Sequence, residues 1–303
     1  VKKMRGRYEK VSIAKLCRLF GKSRMAWYDH RTREDNRLLD HAVVLEMVGL
    51  IREEIDGAGT PVLYRILKPK LQLSGIKMGR QALHALLLDH GLTIRRNRRR
   101  VPQTTDSKHW LRKWPNLISN LEVIRPMHVW VGDITYIRLE GDDFAFLALL
   151  QDLYSHLIVG WCLNESLSHT GPLQALNMAL ENHPPTDKEL IHHTDRGTQY
   201  CCGPYTDVLK AKGIKISMTE NGDPYENPVA ERINSTMKSY LGLGATFPSI
   251  EEAREVAAKK VKVYNEKKPH SSCDYLTPME AHQKTGPLKK WWKAKNKANK
   301  RKK

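Results

Sequence analysis

The 303-residue sequence has few cysteines and no long apolar run. Its five cysteines are an odd number and include no CxxC pair, which argues against a zinc site or a disulfide framework. No stretch approaches the ~20 apolar residues that cross a bilayer, and no secretory signal peptide opens the chain. We therefore expect a cytoplasmic protein with no membrane partner, and the length predicts more than one domain.

Acidic residues are scarce outside one part of the chain. The net charge of +18 comes from 51 Lys and Arg against 33 Asp and Glu. Residues 125–240 nevertheless hold 15 acids and 9 Lys or Arg, a net charge of −6, so the rest of the chain carries +24. Basic arms around an acidic centre favour an enzyme that holds nucleic acid with the arms and reacts with it in the centre.

A first helix-turn-helix pattern occupies residues 11–28. Apolar residues at helical spacing precede a turn at Gly21-Lys22, and Ser23 is a good N-cap for a second helix. A separate amphipathic helix is predicted over 37–54. A DNA-reading unit and a generic helical hairpin with solvated basic residues both fit this pattern.

A second helix-turn-helix pattern follows. Helices are predicted over 60–71 and 78–89, with a turn at residues 74–76 between them. Arg80 and Gln81 lie early on the second helix, and both residue types can hydrogen-bond to base edges. They are candidate DNA-binding residues, although both could equally face solvent.

Two basic segments lie on either side of the acidic centre. Residues 95–100 contain five arginines, and the tail after Pro287 contains nine Lys or Arg and no acid. Arginine and lysine runs bind phosphates without sequence preference. We therefore expect the first segment to follow the DNA backbone and the tail to wrap phosphates.

The pattern changes to short β-rich runs after residue 125. Strands are predicted over 129–138, 144–150, 157–163, 189–194 and 214–218, and helices over 170–182, 204–212 and from 228 onward. Three hairpin-connected strands followed by alternating helices and strands predict an α/β fold. The expected architecture is a ribonuclease-H-like mixed sheet with flanking helices.

Three carboxylates lie at notable places in this α/β region. Asp133 sits inside an apolar strand, where an acid is costly without a purpose. Asp195 follows the strand that ends at residue 194, and Glu231 lies in the first turn of a helix that starts at Pro228 with Asn227 as its N-cap. Two divalent cations held by carboxylates support phosphodiester chemistry. In our hypothesis, Asp133 contributes to both ions, and Asp195 and Glu231 to one each.

Each carboxylate also has an ordinary explanation. Glu231 could be solvated, Asp195 could cap a turn, and Asp133 could pair with an arginine in a half-buried place. Asp152 is interpreted as a turn former. His192 and His193 are neighbours on a strand and point to opposite faces, so neither is a strong metal ligand.

Several motifs together resemble a known family. They are Trp130–Tyr136 (WVGDITY), His193–Tyr200 (HTDRGTQY), Asn227–Glu231 (NPVAE) with Lys238, Ile158–Trp161 (IVGW), Tyr264-Asn265 with Pro269-His270, and Leu276–Pro278 (LTP). The chain resembles the OrfB half of bacterial insertion-sequence transposases of family three, which share the retroviral-integrase catalytic core. The resemblance spans about residues 125–282, and residues 46–100 match more loosely.

The resemblance implies a DDE transposase that cleaves and transfers DNA strands. It implies two Mg²⁺ ions, for which Mn²⁺ would substitute, with Asp133, Asp195 and Glu231 as catalytic metal ligands. Lys238 would contact DNA near the scissile phosphate. The implied partners are double-stranded DNA (the terminal inverted repeats of the element and the target), further copies of the chain on DNA, and the product of an upstream OrfA-type reading frame.

The predicted organisation has six parts. They are an N-terminal helix-turn-helix-like segment (1–45), a helix-turn-helix DNA-binding domain (46–100), a linker (101–124), the catalytic core (125–241), a C-terminal helical extension (242–286) and a basic tail (287–303). Two other functions remain open: a non-catalytic protein that occupies transposon ends, and a nuclease with the same core that only hydrolyses DNA.

Overall fold

The structure is a computed structural model that describes residues 2–94, 110–186, 188–220 and 228–291. The arginine-rich segment 95–100, the N-cap predicted at Asn227 and the tail from residue 292 lie outside these described residues. Their predicted roles therefore stay predictions. In the described ranges, no helix has both the length and the apolar character needed to cross a membrane.

The N-terminal part is helical. Its helices are α1 (Lys2–Arg7), α2 (Ile13–Leu19), α3 (Arg24–Glu54), α4 (Thr60–Leu73) and α5 (Arg80–Asp89). The predicted turns at Gly21 and at residues 74–76 are confirmed, with φ of 63° at Gly21 and 71° at Gly75. Glycine suits both places because a left-handed backbone strains residues that carry a Cβ.

The sequence predicted one helix that ends at residue 28 and another that starts at residue 37. This prediction is wrong, because one helix spans both. The Ser23 side chain caps α3 by accepting from the Ala26 amide at 3.0 Å, and the helix then continues to Glu54. The polar stretch between residues 29 and 37 interrupts the apolar periodicity, but it contains neither proline nor glycine. Polar residues at exposed positions do not end a helix. The predicted domain boundary after residue 45 falls inside α3.

The rest of the described chain forms one sheet and its covering helices. The elements are β1 (Val129–Leu139), β2 (Phe144–Asp152), β3 (Ile158–Asn164), α6 (Thr170–Asn182), β4 (Ile191–Thr194), α7 (Thr198–Cys201), α8 (Gly203–Ala211), β5 (Lys215–Met218), α9 (Pro228–Tyr240), β6 (Thr246–Phe247), α10 (Ile250–Lys267) and α11 (Pro278–Ala281). The strand order is β3-β2-β1-β4-β5, and β6 pairs with the far end of β1.

The sheet is mixed, as predicted. β1, β2 and β3 are antiparallel, whereas β4, β5 and β6 run parallel to their neighbours. The ribonuclease-H-like arrangement is therefore confirmed. The sequence did not predict α7 or β6, which have only four and two residues and so carry no periodic signal.

Helices cover both faces of the sheet. Trp130, Leu150 and Val159 pack on one face with residues of α6 and α8, including Leu176 and Leu209. Alternate strand residues such as Ile137 and Leu149 face the other way, where α9 and α10 pack on them and α3, α4 and α5 join the same core. Alternation along each strand thus separates the two layers.

Tyr264 and Asn265 fasten α10 to the sheet. The Asn265 amide accepts from the Ile158 backbone N–H at 2.9 Å and donates to the Ile158 carbonyl at 3.0 Å, as a neighbouring strand would. The buried Gln151 side chain donates to the Tyr264 hydroxyl at 2.8 Å. These bonds satisfy polar groups of β2 and β3 that α10 would otherwise bury.

The close approach of α6 to β3 predicts a strong effect of Gly160→Ala. A Cβ atom at Gly160 would lie 2.0 Å from the Ala175 carbonyl oxygen and 3.0 Å from the Ala179 Cβ. Because backbone cannot move aside cheaply, we expect the free energy of unfolding to fall by about 1–3 kcal/mol. Urea denaturation monitored by circular dichroism measures the change.

Gly49→Ala is the matched control for that experiment. Gly49 lies on α3, and a Cβ atom added there would have no atom within 4 Å, so alanine should raise the free energy of unfolding by about 0.5–1 kcal/mol. Equal effects of the two substitutions would contradict the packing of α6 on β3 described above.

Candidate active site

Asp133 and Asp195 are brought together by two neighbouring parallel strands. Val131 on β1 pairs with His193 on β4. Asp133 and Asp195 each lie two residues beyond this pair, so their side chains are neighbours on the same face of the sheet. The sequence had placed both at strands, and the pairing of β1 with β4 makes them neighbours.

The helix α9 lies across β1 and completes the site. Ala230 packs against Val129 and Val131. One turn later, the Asn234 side chain donates from Nδ2 to Oδ2 of Asp133 at 2.7 Å. Glu231 is exposed in the first turn of the same helix. The carboxylates of the site therefore come from two strands and one helix, each fixed by the core.

The pKa of Asp133 responds to the charges of the other two carboxylates. Burial, together with the charges of Asp195 and Glu231, raises the pKa of Asp133 to about 7. Hydrogen bonds from the Ile134 amide and from Asn234 act in the opposite direction. Burial and negative neighbours therefore keep Asp133 only partly ionised near neutral pH.

Asp195 also has the turn-capping role that the sequence left open. Its Oδ1 accepts from the Gly197 backbone N–H at 3.0 Å, and the Thr194 hydroxyl donates to its carbonyl at 2.9 Å. These bonds fix the chain where it leaves β4. The capping role and the effect of Asp195 on the pKa of Asp133 are compatible, because a carboxylate that accepts a backbone N–H keeps its negative charge.

The three carboxylates do not surround a single point. Within the described ranges, no three His, Cys, Asp or Glu side chains lie close enough together to hold one metal ion. Asp133 is the member to which both other carboxylates are electrostatically coupled. Asp133 is thus the centre of the group, with Asp195 and Glu231 on its flanks.

Lys238 adds positive charge beside the carboxylates, and Arg138 lies close enough to act on Lys238. Lys238 is half-buried on α9, one turn beyond Asn234. Burial and then the Arg138 guanidinium lower the pKa of Lys238, whereas Asp133 raises it. The structure therefore brings the predicted DNA-binding residue Lys238 to the carboxylates. Arg138 was missed because an arginine near a strand end carries no specific sequence signal.

The other two predicted DNA-binding residues lie elsewhere. Arg80 and Gln81 are exposed at the start of α5, whose Gly79 N-cap offers no side-chain bond. α5 packs against α4, and neither residue belongs to the group around Asp133. Their role in reading bases stays a prediction.

His192 and His193 point to opposite sides of β4, as predicted. His192 Nε2 lies 2.8 Å from the Tyr205 hydroxyl, and His193 Nδ1 lies 2.8 Å from the Ser217 hydroxyl. Both imidazoles are buried. Asp152 is a turn former, also as predicted: its buried carboxylate accepts from Met127, Tyr154 and Ser155.

Sequence reasoning missed two further residues near the carboxylates. Asn234 lies three residues after Glu231 and four before Lys238, so helical spacing alone could have placed it between them. Tyr200 is buried, and Asp133 and Asp195 contribute to raising its pKa after burial and Tyr205. Its hydroxyl has no hydrogen-bond partner among the described residues. No sequence signal distinguished it from a core tyrosine.

Comparison with known proteins identifies relatives over most of the chain. Residues 124–224 match a family model described as integrase core domain, and residues 212–278 match a second model with the same description. A 31 kDa protein of insertion element IS600 from Shigella sonnei is 31% identical over 274 residues, which cover 89% of this chain and 98% of that protein.

Two transposases are also similar. Transposase InsF of insertion sequence IS3A from Escherichia coli strain K12 is 29% identical over 280 residues, covering 90% of this chain and 94% of that protein. The transposase of insertion sequence IS904 from Lactococcus lactis subsp. lactis strain IL1403 is 35% identical over 184 residues, covering 57% of this chain and 70% of that protein.

Solved structures show weaker similarity. A chain of the simian T-cell lymphotropic virus intasome is 16% identical with a TM-score of 0.46, over 79% of this chain and 75% of that chain. The catalytic domain of Mos1 mariner transposase is 16% identical with a TM-score of 0.37, over 45% of this chain and 73% of that chain. Both TM-scores are below 0.5, so the family assignment depends on the sequence matches.

The buried His192 predicts how stability changes with pH. Burial and then His193 lower the pKa of His192 to about 3, whereas an unfolded histidine titrates near 6.5. Between these values the unfolded chain binds a proton that the folded chain does not. Stability is therefore highest above about pH 6.5 and falls as the pH drops below it.

His192→Gln should reduce that pH dependence by up to about 1.4 kcal/mol per pH unit. Urea unfolding at a series of pH values from neutral to acid measures the slope. Tyr205→Phe is the control, because it removes the hydroxyl bonded to His192 but keeps the imidazole. If His192→Gln and the unsubstituted protein have the same slope, His192 is not the titrating group.

Proposed function

We propose that this chain, which belongs to the family of IS3-type insertion-sequence transposases, uses Asp133, Asp195 and Glu231 as the catalytic carboxylates for DNA cleavage and strand transfer. Transposition of an insertion sequence is the function of the family, and the chemistry is polynucleotidyl transfer. The observation that carries the residue assignment is the electrostatic coupling of Asp133 to both Asp195 and Glu231.

The donor set fits divalent cations. Carboxylate oxygens are the hard ligands that Mg²⁺ prefers, and Mn²⁺ accepts the same ligands. Asp133 has a raised pKa partly because negative charge is concentrated around it, and a bound cation would relieve that repulsion. Asp133 would be a ligand of two ions, with Asp195 and Glu231 each completing one.

Two such ions, when bound, activate the attacking oxygen and stabilise the leaving oxygen of the phosphodiester. The protein supplies the geometry. Asn234 holds one orientation of the Asp133 carboxylate by its 2.7 Å hydrogen bond, and α9 holds Glu231 at a fixed place beside β1. Fixed ligands avoid reorganisation during the reaction.

Lys238 and Arg138 would bind the DNA phosphates next to the scissile bond. The Arg138 guanidinium lowers the pKa of Lys238, and a DNA phosphate would supply the negative charge that two such neighbouring cations favour. The half-burial of Lys238 restricts its motion, which suits a contact of defined position.

The proposed partners follow from the same assignment. The basic segments at residues 95–100 and after residue 287 would bind the backbone of double-stranded DNA, at the terminal repeats of the element and at the target. Transposition joins two ends, so we propose an oligomer of this chain on DNA. An upstream OrfA-type product is a further proposed partner.

Two alternatives compete with this function. A protein that occupies transposon ends without catalysis would not need an acid inside β1, where burial is the largest cause of a pKa of about 7. A nuclease with the same core would cut DNA but would leave the freed 3′-hydroxyl unused. Joined DNA products separate the nuclease from the transposase.

Glu231→Gln tests the catalytic assignment. Labelled duplex carrying the ends of the element would be incubated with protein and Mg²⁺, and nicked and joined strands would be separated on a denaturing gel. Losing a metal ligand removes several kcal/mol of transition-state stabilisation, so both products should fall by about 10³-fold or more.

Glu220→Gln is a suitable control, because Glu220 is exposed beyond β5 and is not assigned to the site. It should cut and join at the unsubstituted rate, and all three proteins should bind the duplex equally. Full activity of Glu231→Gln would refute the assignment. Nicking without joining by the unsubstituted protein would favour the nuclease.

Asn234 gives a second test of the same site. Asn234→Ala removes the bond that orients Asp133, and Asn234→Asp places a further carboxylate against it. Loss of a residue that orients a metal ligand typically lowers metal affinity or activity by about 10- to 100-fold. We expect that loss in strand cleavage for the alanine variant, and a larger one for the aspartate variant.

Ser235→Ala is the control for helix α9, because Ser235 is the exposed neighbour of Asn234. Mn²⁺ binding followed by electron paramagnetic resonance gives a readout that is independent of catalysis. If Asn234→Ala and Ser235→Ala bind Mn²⁺ and cleave DNA equally well, Asn234 only packs α9 against β1.

A further inference from the structure

Lys268 is a buried lysine that the proposed reaction does not use. It lies at the C-terminal end of α10, and only 8% of its surface is exposed. Its Nζ atom lies 3.3 Å from His270 Nε2. An ammonium group has three N–H donors, and buried charges are normally paired with an opposite charge. The group that the Lys268 ammonium contacts is the imidazole of His270, which carries no negative charge.

Other basic groups surround Lys268. The imidazoles of His270 and His156 are stacked, with ring centroids 5.5 Å apart, and the Ser272 hydroxyl lies 2.9 Å from His156 Nε2. Arg232, exposed on α9, lowers the pKa of Lys268 after burial does. We call Lys268, His156, His270 and Arg232 the cationic cluster; Lys268 and Arg232 carry its charge, because burial and Lys268 lower the pKa of both histidines.

No carboxylate acts on the pKa of Lys268, His156 or His270 in the described part of the chain. The charged groups that act on the pKa of Lys268 are Arg232 and the Cys273 thiol, and those that act on His156 and His270 are lysines and the other histidine. The nearby Asp152 carboxylate acts on Cys273 and accepts four hydrogen bonds from its own turn and Met127.

The rings of the two tyrosines beside Lys268 offset its positive charge only weakly. Its Nζ atom lies 5.5 Å from the ring centroid of Tyr264 and 5.9 Å from that of Tyr240. These distances are near the outer limit of a cation–π contact, which lies at about 6 Å. Burial, with a smaller effect from Arg232, lowers the pKa of Lys268 to about 8, so the ammonium form dominates at neutral pH without a full counter-charge.

We propose that the cationic cluster is a binding site for a phosphate group, which Lys268, Arg232 and the two histidines contact together. Phosphate oxygens accept several hydrogen bonds at once and supply the negative charge that the cluster lacks. Arg232 is exposed and both histidines are partly exposed, whereas Lys268 is buried, so a phosphate would contact Arg232 at the surface.

A phosphate of the DNA backbone is the expected ligand, and this source rests on the proposed function. Arg232 follows Glu231 directly on α9, so the cluster begins beside the catalytic helix. Lys290, which lowers the pKa of His156, lies where the basic tail begins. The cluster therefore has one member on the catalytic helix and an electrostatic neighbour, Lys290, at the start of the tail. DNA held by both the active site and the tail would lie near the cluster.

Lys268→Met and Lys210→Met form the test pair. Methionine keeps the unbranched shape of lysine without its charge. Lys210 is an exposed lysine paired with Asp207 on α8, at a place unrelated to the cluster. Thermal unfolding of the full chain would be followed while inorganic phosphate is added, against chloride at equal ionic strength.

A ligand that binds only the folded protein raises its unfolding temperature. We expect phosphate to raise the unfolding temperature of the unsubstituted protein and of Lys210→Met, but not that of Lys268→Met. Without phosphate, Lys268→Met should unfold at the same or a higher temperature than the unsubstituted protein, because it removes an unbalanced buried charge.

An equal response to phosphate in all three proteins would overturn the site, since Lys268 would then be a structural cation held by the tyrosine rings. If Lys268→Met does not fold, Arg232→Gln decides the question at an exposed position. A lost or weakened phosphate response in Arg232→Gln supports the site, and an unchanged one overturns it.

Duplex DNA distinguishes the source of the phosphate. Loss of one phosphate contact should reduce the slope of log K against log salt concentration by about 1 in Lys268→Met, and Lys210→Met should keep the full slope. An unchanged slope in Lys268→Met, with its phosphate response lost, would mean a site for free phosphate. If the unsubstituted protein binds no DNA, the proposed function fails, and the phosphate titration still decides the site.

Discussion

The packing of α9 against β1 holds negative charges together that would otherwise separate. Asp195 and Glu231 both raise the pKa of Asp133, as repulsion between like charges does. Ala230, Ile233 and Met237 face the sheet from α9 and are buried. Burying large apolar side chains such as Ile233 and Met237 contributes up to about 1.5–3 kcal/mol each, which opposes the repulsion between the carboxylates. The helix therefore stays on β1, and Glu231 stays near Asp133.

The N-terminal helices depend on the same helix. The Gly57 amide donates to the Tyr240 carbonyl at the end of α9 at 2.9 Å, and a Cβ at Gly57 would lie 2.6 Å from the Tyr240 Cα. Lys260 on α10 bonds to Asp56 at 2.6 Å and to the Glu54 carbonyl. The loop between α3 and α4 is thus fixed on the helix that carries Glu231. Movement of the helical region on DNA would act directly on α9.

Much of the fold was predictable because its signals are local. Short β-rich runs predicted β1, β2 and β3, and the pairing of Thr277 with Glu280 in a capping box marks the start of α11. The course of α3 was not predictable in the same way, because its polar middle lacks periodicity. Short elements such as β6 depend on their neighbours in space and have no signal of their own.

The same distinction between local signals and long-range packing applies to the residues of the candidate site. Asp133, Asp195, Glu231 and Lys238 stand in recognisable local contexts, whereas the contacts of Arg138 and Tyr200 depend on which strands and helices meet. Asn234 lies between these cases. Its spacing from Glu231 is visible in the sequence, but its bond to Asp133 crosses 101 residues of chain. Proximity over such a separation is set by the packing of α9 on β1, which sequence periodicity does not specify.

Charges of opposite sign lie on two sides of α9. Glu231, Asn234 and Lys238 follow one another at helical spacing on the side of Asp133, and Arg232 acts electrostatically on Lys268 on the other. Residues in both groups have pKa values shifted against their ionised forms, which means that the folded protein loses stability by keeping them charged. A protein can retain charges that lower its stability where a bound ligand offsets that cost. A divalent cation does so for the carboxylates and a phosphate for the cationic cluster, and bound DNA together with its metal ions would supply both at once.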